Sequence, residues 1–312
     1  MRFGKLTGVL ALTTAALIWG LAFSAQRQAL EHLGPAIFNS CRSFIGGIAL
    51  LLLAALLKIC RRQSGGIPPT QPDRPQLNTL LLGGLACGCC MAAGSLLQQI
   101  GLQYLTAGKA GFLTALYLVL VPVFGICLGR KVHLVLWLAV LISLFGAYLL
   151  CQPESGSFGR GDLVMLASAV CFSWHILVID YFVTKVDVIM LSALQVLVNG
   201  CLSLGIGLFR GEPLVWASIC AATGPILFCG LGSTGLAFTL QMFGQKLVSP
   251  TAASLLMSLE SVFAVVGGWL WLHEILSARE LTGCAVILTA VIISQLHETA
   301  SSSAENAATE VS

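Results

Sequence analysis

One carboxylate interrupts a long apolar stretch near the end of the chain. Glu260 lies near the midpoint of a run over residues 250–272 that is long enough to cross a membrane. A charge at that depth costs about 2.5–3.5 kcal/mol on insertion scales, so it needs a partner or a function. It could bind and release a proton, or bind an ammonium group. The alternative is a structural carboxylate that Arg42, Lys109 or helix-end amides satisfy.

Two basic residues lie within apolar runs but close to their ends. Arg42 is about two turns into a predicted helix over 35–57, and Lys109 is about one turn into another over 105–128. Long basic side chains near helix ends commonly snorkel to the interface, and we favour this interpretation for Lys109. Arg42 could either snorkel to the interface or face a cavity, and the sequence does not decide between the two. If either residue faces a cavity, it would attract a carboxylate.

Aromatic and polar residues add further candidates for a binding site. Trp19 and Trp174 lie inside their predicted helices rather than at the interface, so they form either two aromatic cavity walls or ordinary core packing. A free imidazole titrates near physiological pH, so His175 could transfer a proton, although buried histidines are commonly just hydrogen-bonded. Gln98, Gln241 and Tyr117 are polar groups that require a partner or a wet cavity in lipid. Among these, Tyr117 is our preferred neutral cavity residue.

The elements that carry these residues are membrane-spanning helices. Of 312 residues, 57% are hydrophobic and 9% are charged, whereas soluble domains have about 25% charged residues. A span needs about 20 mostly apolar residues, and such runs occupy most of the chain. We predict ten helices, over residues 4–26, 35–57, 77–98, 105–128, 134–151, 161–181, 188–209, 218–243, 250–272 and 277–296.

The distribution of basic residues predicts the orientation. Because cytoplasmic loops carry an excess of Lys and Arg, we expect both termini to be cytoplasmic, in a bacterial inner membrane, with an uncleaved first helix. The cytoplasmic segments then hold Arg2, Lys5, Lys58, Arg61, Arg62, Arg74, Arg130, Lys131, Lys185 and Lys246. The opposite side holds Arg27, Arg160, Arg210 and Arg279. Neither group is dense enough to indicate binding to nucleic acid.

No motif indicates a metal or a cofactor, and we expect neither. Cys87, Cys89 and Cys90 form a cluster without a nearby His, and helical spacing points them to different faces. The stretch from Gly230 to Gly235 matches G-x-G-x-x-G, but it lies inside a predicted apolar helix instead of a strand-turn-helix setting. The expected partners are a small-molecule substrate, the lipid bilayer and, as a candidate coupling ion, a proton. The sequence does not distinguish a monomer from a homodimer.

An internal repeat organises the chain. A shift of 143 positions pairs Gln98 with Gln241 and Tyr117 with Glu260, and a second alignment pairs Trp19 with Trp174. We predict two five-helix repeats over residues 1–151 and 152–296, a Pro/Gly-rich cytoplasmic loop near 59–76, and a short, disordered polar tail over 297–312. Because five is odd, the second repeat must enter the membrane from the opposite side. Inverted repeats of this kind build many secondary transporters.

Two runs related by the repeat resemble a known family. The run "LQYLTAGKAGFLTALYLVLVP" (Leu102–Pro122) and the run "LVSPTAASLLMSLESVFAVVGGWLWLHE" (Leu247–Glu274) are similar to the paired signatures of EamA-type proteins in the drug/metabolite transporter superfamily. The resemblance extends from Gly8 to about Gln295. It implies ten helices in two inverted repeats, and a central cavity lined by the first helices of each half and their neighbours. Many members export amino acids or other metabolites. The chain departs from the family at Glu260-Ser261, where Glu-Pro is frequent.

The function we predict is therefore secondary transport. The chain would act as a permease that exports a small metabolite, such as an amino acid or a related compound, by alternating access. One rival is an intramembrane enzyme, which would require a paired nucleophile and base or a metal-ligand set. The other is a membrane sensor or structural protein that transports nothing. We expect no catalytic residues.

Overall fold

The computed structural model describes residues 2–63, 74–105, 107–150, 159–272 and 277–310. Most of the predicted Pro/Gly-rich loop, at 64–73, lies outside the described residues, as do His273 and Glu274. The described residues form ten long helical elements: α1 (Arg2–Ala29), α2 (Pro35–Gln63), α3 (Arg74–Gly101), α4 (Ala107–Ala115 and Tyr117–Cys127), α5 (Leu134–Leu150), α6 (Arg160–Phe182), α7 (Val188–Phe209), α8 (Thr223–Leu227, Phe228–Ala237 and Phe238–Gln245), α9 (Pro250–Met257 and Leu259–Leu272) and α10 (Ala278–Glu310). A short helix, Trp216–Ala221, precedes α8.

The helices have the length and composition of membrane spans. In the described part of the chain, nine are long and apolar enough to cross a bilayer, and α5 supplies a shorter apolar helix over Leu134–Leu149. Large apolar side chains cover the outer surface, among them Phe209, which is 92% exposed, and Leu134, which is 70% exposed. In a soluble protein such a surface would aggregate, whereas in a bilayer it faces lipid. The predicted all-α membrane architecture is confirmed.

Packing between the helices follows the two halves. Helix α5 packs against α10, and α2 packs against α7, so each of these helices contacts the counterpart five positions along the chain. Helix α3 packs on α6 in the same way that α8 packs on α1. This pairing is what an approximate two-fold relation between the halves produces. Helices α1, α3, α4, α6, α8 and α9 enclose the centre of the bundle.

Helices α4 and α9, which we predicted to be continuous, are each interrupted once. The breaks fall at Leu116 and Ser258, directly before Tyr117 and close to Glu260. The hydroxyl of Ser258 donates to the carbonyl of Leu255 at 2.7 Å. Serine side chains that bond back to the preceding turn bend helices. The side chain of Ser258 therefore gives the break in α9 a local cause.

Helix α8 departs from the predicted regular helix in another way, because Phe228–Ala237 is a π-helix. It contains the G-x-G-x-x-G match and packs against α2, where a Cβ on Gly46 would lie 2.6 Å from the carbonyl oxygen of Gly230. The glycines therefore serve close helix packing. Widened helical turns of this kind occur frequently at functional sites.

The C-terminal tail is helical, which corrects the prediction of disorder. Helix α10 continues from Ala278 to Glu310, well past the predicted end at residue 296. The polar tail includes Ala304, Ala307 and Ala308. Alanine has the highest helix propensity of all residues, so these residues favour continuation of the helix.

Candidate functional site

A cavity lies at the centre of the bundle, between the two halves. Helices α1, α2, α3, α4, α6, α8 and α9 all contribute to it, through Trp19, Phe23, Gln26, Arg42, Ser95, Gln98, Thr114, Tyr117, Phe172, His175, Ile176, Ser233, Phe238, Gln241, Met257 and Glu260. Its volume is about 50 Å³, which is room for about four water molecules. Any larger solute would require the walls to move apart. We call this the central cavity.

Glu260 and Tyr117 meet across the interface between the halves. The hydroxyl of Tyr117 donates to Oε1 of Glu260 at 3.2 Å, and both side chains are buried. Tyr117 and Glu260 are repeat partners, 143 residues apart. Equivalent positions that touch each other must lie near the axis that relates the halves. The structure thus places the carboxylate at the centre of the bundle.

Arg42 brings a buried positive charge to the same cavity. The residue is 3% exposed, and in the described part of the chain it forms no ion pair. Its Nε donates to Oδ1 of Asn39 at 2.8 Å, and one terminal nitrogen donates to Oε1 of Gln26 at 3.1 Å. A guanidinium has five N–H donors, so further donors are available to an anionic ligand.

Asn39 holds the guanidinium in place through a network of buried polar groups. Its Nδ2 lies 2.9 Å from Oδ1 of Asn199 and 2.8 Å from Oγ of Ser203. Nδ2 of Asn199 in turn donates to Oγ of Ser43 at 2.9 Å. The network joins α2 to α7, which pack against each other across the interface between the halves. A fully bonded buried network restricts the side chains to one arrangement, which fixes the direction of the guanidinium.

Two polar atoms of the central cavity lack a hydrogen-bond partner within the described structure. His175 is fully buried, and its Nε2 lies 2.9 Å from Oε1 of Gln195. Its Nδ1 has no partner, and neither does Oε1 of Gln241. Leaving a buried polar atom unpaired costs about 1–3 kcal/mol. Water or a bound solute in the cavity would recover this free energy.

Aromatic rings form much of the remaining cavity wall. Trp19 contacts Phe238 edge to face, with ring centroids 4.9 Å apart, and its Nε1 donates to the carbonyl of Ser233 at 3.2 Å. His175 also contacts Phe238 edge to face, at 5.7 Å. Aromatic faces attract cations as well as apolar groups. The wall therefore suits an ammonium group or an apolar substituent.

Half of the residues that line the central cavity are paired by the internal repeat. Four pairs separated by the same interval as Tyr117 and Glu260 have both members on the cavity wall: Ser95 with Phe238, Gln98 with Gln241, Thr114 with Met257, and Tyr117 with Glu260. Our sequence candidates included two of these pairs. The repeat alignment alone was the signal that could have identified the other two.

The structure does not bring two of the candidates to the cavity. Trp174 is 41% exposed and stacks on Phe124 at a centroid distance of 5.2 Å, on the outside of α6. The hypothesis of two equivalent tryptophan walls is therefore wrong for Trp174. Adjacent residues on a helix differ by about 100° in direction, which is why His175 points inward where Trp174 does not.

Lys109 is the other candidate away from the cavity. Its Nζ lies 2.7 Å from Oδ1 of Asp162, so it forms an ion pair between α4 and α6. Asp162 also accepts from the backbone N–H of Gly159 at 2.9 Å, at the start of α6. Its position near a helix end favoured snorkelling, whereas the proximity of Asp162 depends on how α4 and α6 pack.

The family comparison covers almost the whole chain. A model described as the EamA-like transporter family matches residues 6–152 and 159–295. The chain belongs to the EamA-like transporter family. Among EamA-like relatives, an uncharacterized transporter of Archaeoglobus fulgidus is 30% identical over 296 residues, covering 94% of this chain and 87% of the relative. The uncharacterized transporter YoaV of Bacillus subtilis is 25% identical over 296 residues, covering 91% of this chain and 95% of the relative.

Two further comparisons bear on function and fold. A protein named as a probable terminal-alkyne amino-acid exporter of Streptantibioticus cattleyicolor is 24% identical over 307 residues, covering 94% of each chain. A solved crystal structure superposes on this EamA-like chain with a TM-score of 0.73 at 20% identity, covering 94% of this chain and 97% of the other. At that identity the likeness shows a shared fold.

Proposed function

We propose that this EamA-like transporter exports a small zwitterionic metabolite, such as an amino acid or a related compound, across a bacterial inner membrane. The observation that carries the proposal is the central cavity, where a buried carboxylate, Glu260, and a buried guanidinium, Arg42, occur without an ion pair between them in the described structure. Opposite charges kept apart in a low-dielectric site can each attract one end of a zwitterion. The S. cattleyicolor relative carries an amino-acid exporter name.

Alternating access is the mechanism that we propose for this export. The halves are inverted repeats around a central site, so a rocking of one half against the other would open the site first to one side and then to the other. The small volume of the central cavity favours an intermediate conformation of this cycle, between the states that are open to either side of the membrane. Glu260 is the candidate group for coupling to a proton, because its carboxylate can bind either a proton or the substrate ammonium. Because a proton and the substrate ammonium would compete for the Glu260 carboxylate, the transport of one would be coupled to the transport of the other.

The membrane orientation is part of the same proposal. With both termini cytoplasmic, basic residues at the ends of α4, α6 and α8, such as Arg130, Lys185 and Lys246, fall on the cytoplasmic side as the positive-inside rule requires. A reporter fused after Ser312 that becomes active in the periplasm would contradict this orientation.

Substitution of Glu260 by Gln tests the proposal directly. The amide oxygen of Gln can accept the Tyr117 hydrogen bond in nearly the same volume, so the substitution removes the charge and spares the packing. Cells that overproduce wild type, Glu260→Gln or no transporter would be compared for the metabolites they release. We expect a zwitterion to be enriched outside only with wild type. The matched control is Glu31→Gln, the same change at an exposed carboxylate, and it should export normally.

Two outcomes would overturn the proposal. If Glu260→Gln is present in the membrane and exports at the wild-type rate, the carboxylate has no part in transport. If wild-type cells release no additional metabolite although the protein is verified in the membrane, export is excluded in favour of uptake or of a protein that transports nothing. The intramembrane enzyme would instead predict a chemically altered product, which the same metabolite profiles would reveal.

A further inference from the structure

A second cavity lies at the face of the bundle where α1 and α5 begin and α4 ends. It is lined by Lys5, Val121, Gly125, Arg130, Lys131, Val132, His133, Leu136, Leu177, Ser249, Pro250, Thr251 and His297. Its volume is about 470 Å³, so it is much roomier than the central cavity. We call it the basal vestibule.

The charged side chains that the structure describes along the basal vestibule are all basic. Three lysine and arginine side chains line it, together with the rings of His133 and His297, whose centroids are 4.3 Å apart. No Asp or Glu occurs among the lining residues that the structure describes. A cleft lined by one sign of charge concentrates ions of the opposite sign.

Arg130 and Lys131 are neighbours at the rim of the vestibule, but only Arg130 has an ion-pair partner in the described structure. Arg130 forms an ion pair with Asp180, so its charge is largely balanced. Lys131 is exposed to the vestibule and has no ion-pair partner in the part of the chain that the structure describes. Lys131 is therefore a cation that is available to a ligand.

The basal vestibule is stacked on the central cavity along shared helices. Val121 follows Tyr117 by one turn of α4, and Leu177 follows Ile176 directly on α6. Tyr117 and Ile176 line the central cavity, Val121 and Leu177 line the vestibule, and all four belong to one apolar cluster. Leu118 is fully buried in the same cluster. A layer of apolar side chains therefore separates two cavities that lie on one path through the bundle.

We infer that the basal vestibule binds an anionic group, a carboxylate or a phosphate, at a site separate from the central cavity. Lys131 supplies the available charge, Lys5 adds positive charge to the lining, and His133, whose Nδ1 accepts from the backbone N–H of Val135, supplies a ring N–H donor. In a transport cycle this site would hold the anionic end of a solute before the apolar layer opens, and that role rests on the proposed function. The binding itself does not depend on transport.

Titration of the purified full-length protein with inorganic phosphate tests the site. Isothermal titration calorimetry in a non-ionic detergent, without other multivalent anions, should detect one phosphate per wild-type chain. Loss of a partly exposed ion-pair contact costs up to about 1 kcal/mol, so Lys131→Gln should weaken binding about fivefold. The double variant Lys5→Gln/Lys131→Gln should weaken it more than tenfold, and added salt should weaken wild-type binding.

Two control variants separate charge from folding. Lys131→Arg keeps the charge and should bind phosphate as wild type does. Lys185→Gln removes a lysine at the same face whose Nζ lies over the ring of Tyr181 rather than in the vestibule, and it should also bind as wild type does. The inference is overturned if wild type binds no phosphate, or if Lys131→Gln and Lys185→Gln have the same affinity.

Repeating the titration in nanodiscs identifies the source of the anion. If the affinity for phosphate is the same in phosphatidylcholine with and without phosphatidylglycerol, the site takes a soluble anion. If phosphatidylglycerol abolishes phosphate binding to wild type, the anionic group that occupies the site is a lipid headgroup. Because neither measurement needs flux, a failure of the export assay would leave this result intact, and the reverse also holds.

Discussion

Substitution of Gly20 by Ala should damage the contact between α1 and α9 that supports Glu260. A Cβ at position 20 would lie 2.6 Å from the carbonyl oxygen of Glu260, 2.7 Å from Cβ of Phe263 and 2.8 Å from the backbone nitrogen of Ala264. Two of the three contacts are with backbone atoms. No side-chain rotation can relieve them, so the helices themselves must separate.

The size of the effect follows from these distances. Ordinary contact begins at 3.4 Å, so the helices must move apart by about 0.8 Å, and overpacking of this kind costs about 1–3 kcal/mol. The gain in helix propensity from Gly to Ala offsets up to about 1 kcal/mol of this cost. A shift of the same size could lengthen the 3.2 Å contact between Tyr117 and Glu260 to about 4 Å, beyond hydrogen-bond range. We therefore expect lower stability together with slower export.

Thermal unfolding of the purified variants in detergent, alongside the export assay, measures both effects. The control is Gly205→Ala, because a Cβ at Gly205 on α7 meets nothing within 4 Å. Gly205→Ala should unfold at or above the wild-type temperature and export normally, whereas Gly20→Ala should unfold several degrees lower. A Gly20→Ala protein with wild-type stability and wild-type export would refute the argument that these helices are in closest contact at Gly20.

Three further predictions concern individual contacts. Trp19→Phe loses the hydrogen bond to Ser233, which contributes about 1 kcal/mol to stability. Because Trp19 lines the central cavity, the substitution should also raise the KM for the exported solute, whereas Trp174→Phe, at an outward position, should leave it unchanged. Equal KM values for the two variants would contradict the placement of the cavity. Asn39→Ala leaves Arg42, Asn199 and the neighbouring hydroxyls without their hydrogen-bond partner, and should destabilise the protein by about 3 kcal/mol in thermal unfolding. The control Asn78→Ala, at an exposed site, should cost nearly nothing. An Asn39→Ala protein as stable as wild type would show that the network does not hold the helices together. Lys109→Gln breaks the ion pair with Asp162 and should lower stability by no more than about 1 kcal/mol while preserving solute affinity; a large rise in KM would place Lys109 in the binding site after all.

The helical architecture could be predicted from the sequence alone because the lipid bilayer imposes a simple constraint on the backbone. Every backbone polar group in the bilayer must be bonded within its own segment, so long apolar runs can be read as helices. The repeat interval then related Tyr117 to Glu260 before any contact was known. Their meeting near the centre is a consequence of the inverted halves. The exact course of α4 and α9 was not predictable, since the local turn geometry at Leu116 and Ser258 leaves no hydropathy signal.

The direction in which each side chain points was decided by the tertiary structure. In a soluble protein an amphipathic pattern separates the buried face of a helix from the exposed one, but here both lipid and core are apolar, and the pattern is weak. Trp174 and His175 are adjacent in sequence, yet Trp174 faces the outside of the bundle and His175 faces the central cavity. The pairing of Lys109 with Asp162 depends on how α4 and α6 are packed, as does the gathering of Lys5, Lys131 and His297 around one vestibule. Hydropathy and the repeat determined which segments cross the membrane and which positions are equivalent, whereas only helix packing decided which of those positions share a cavity.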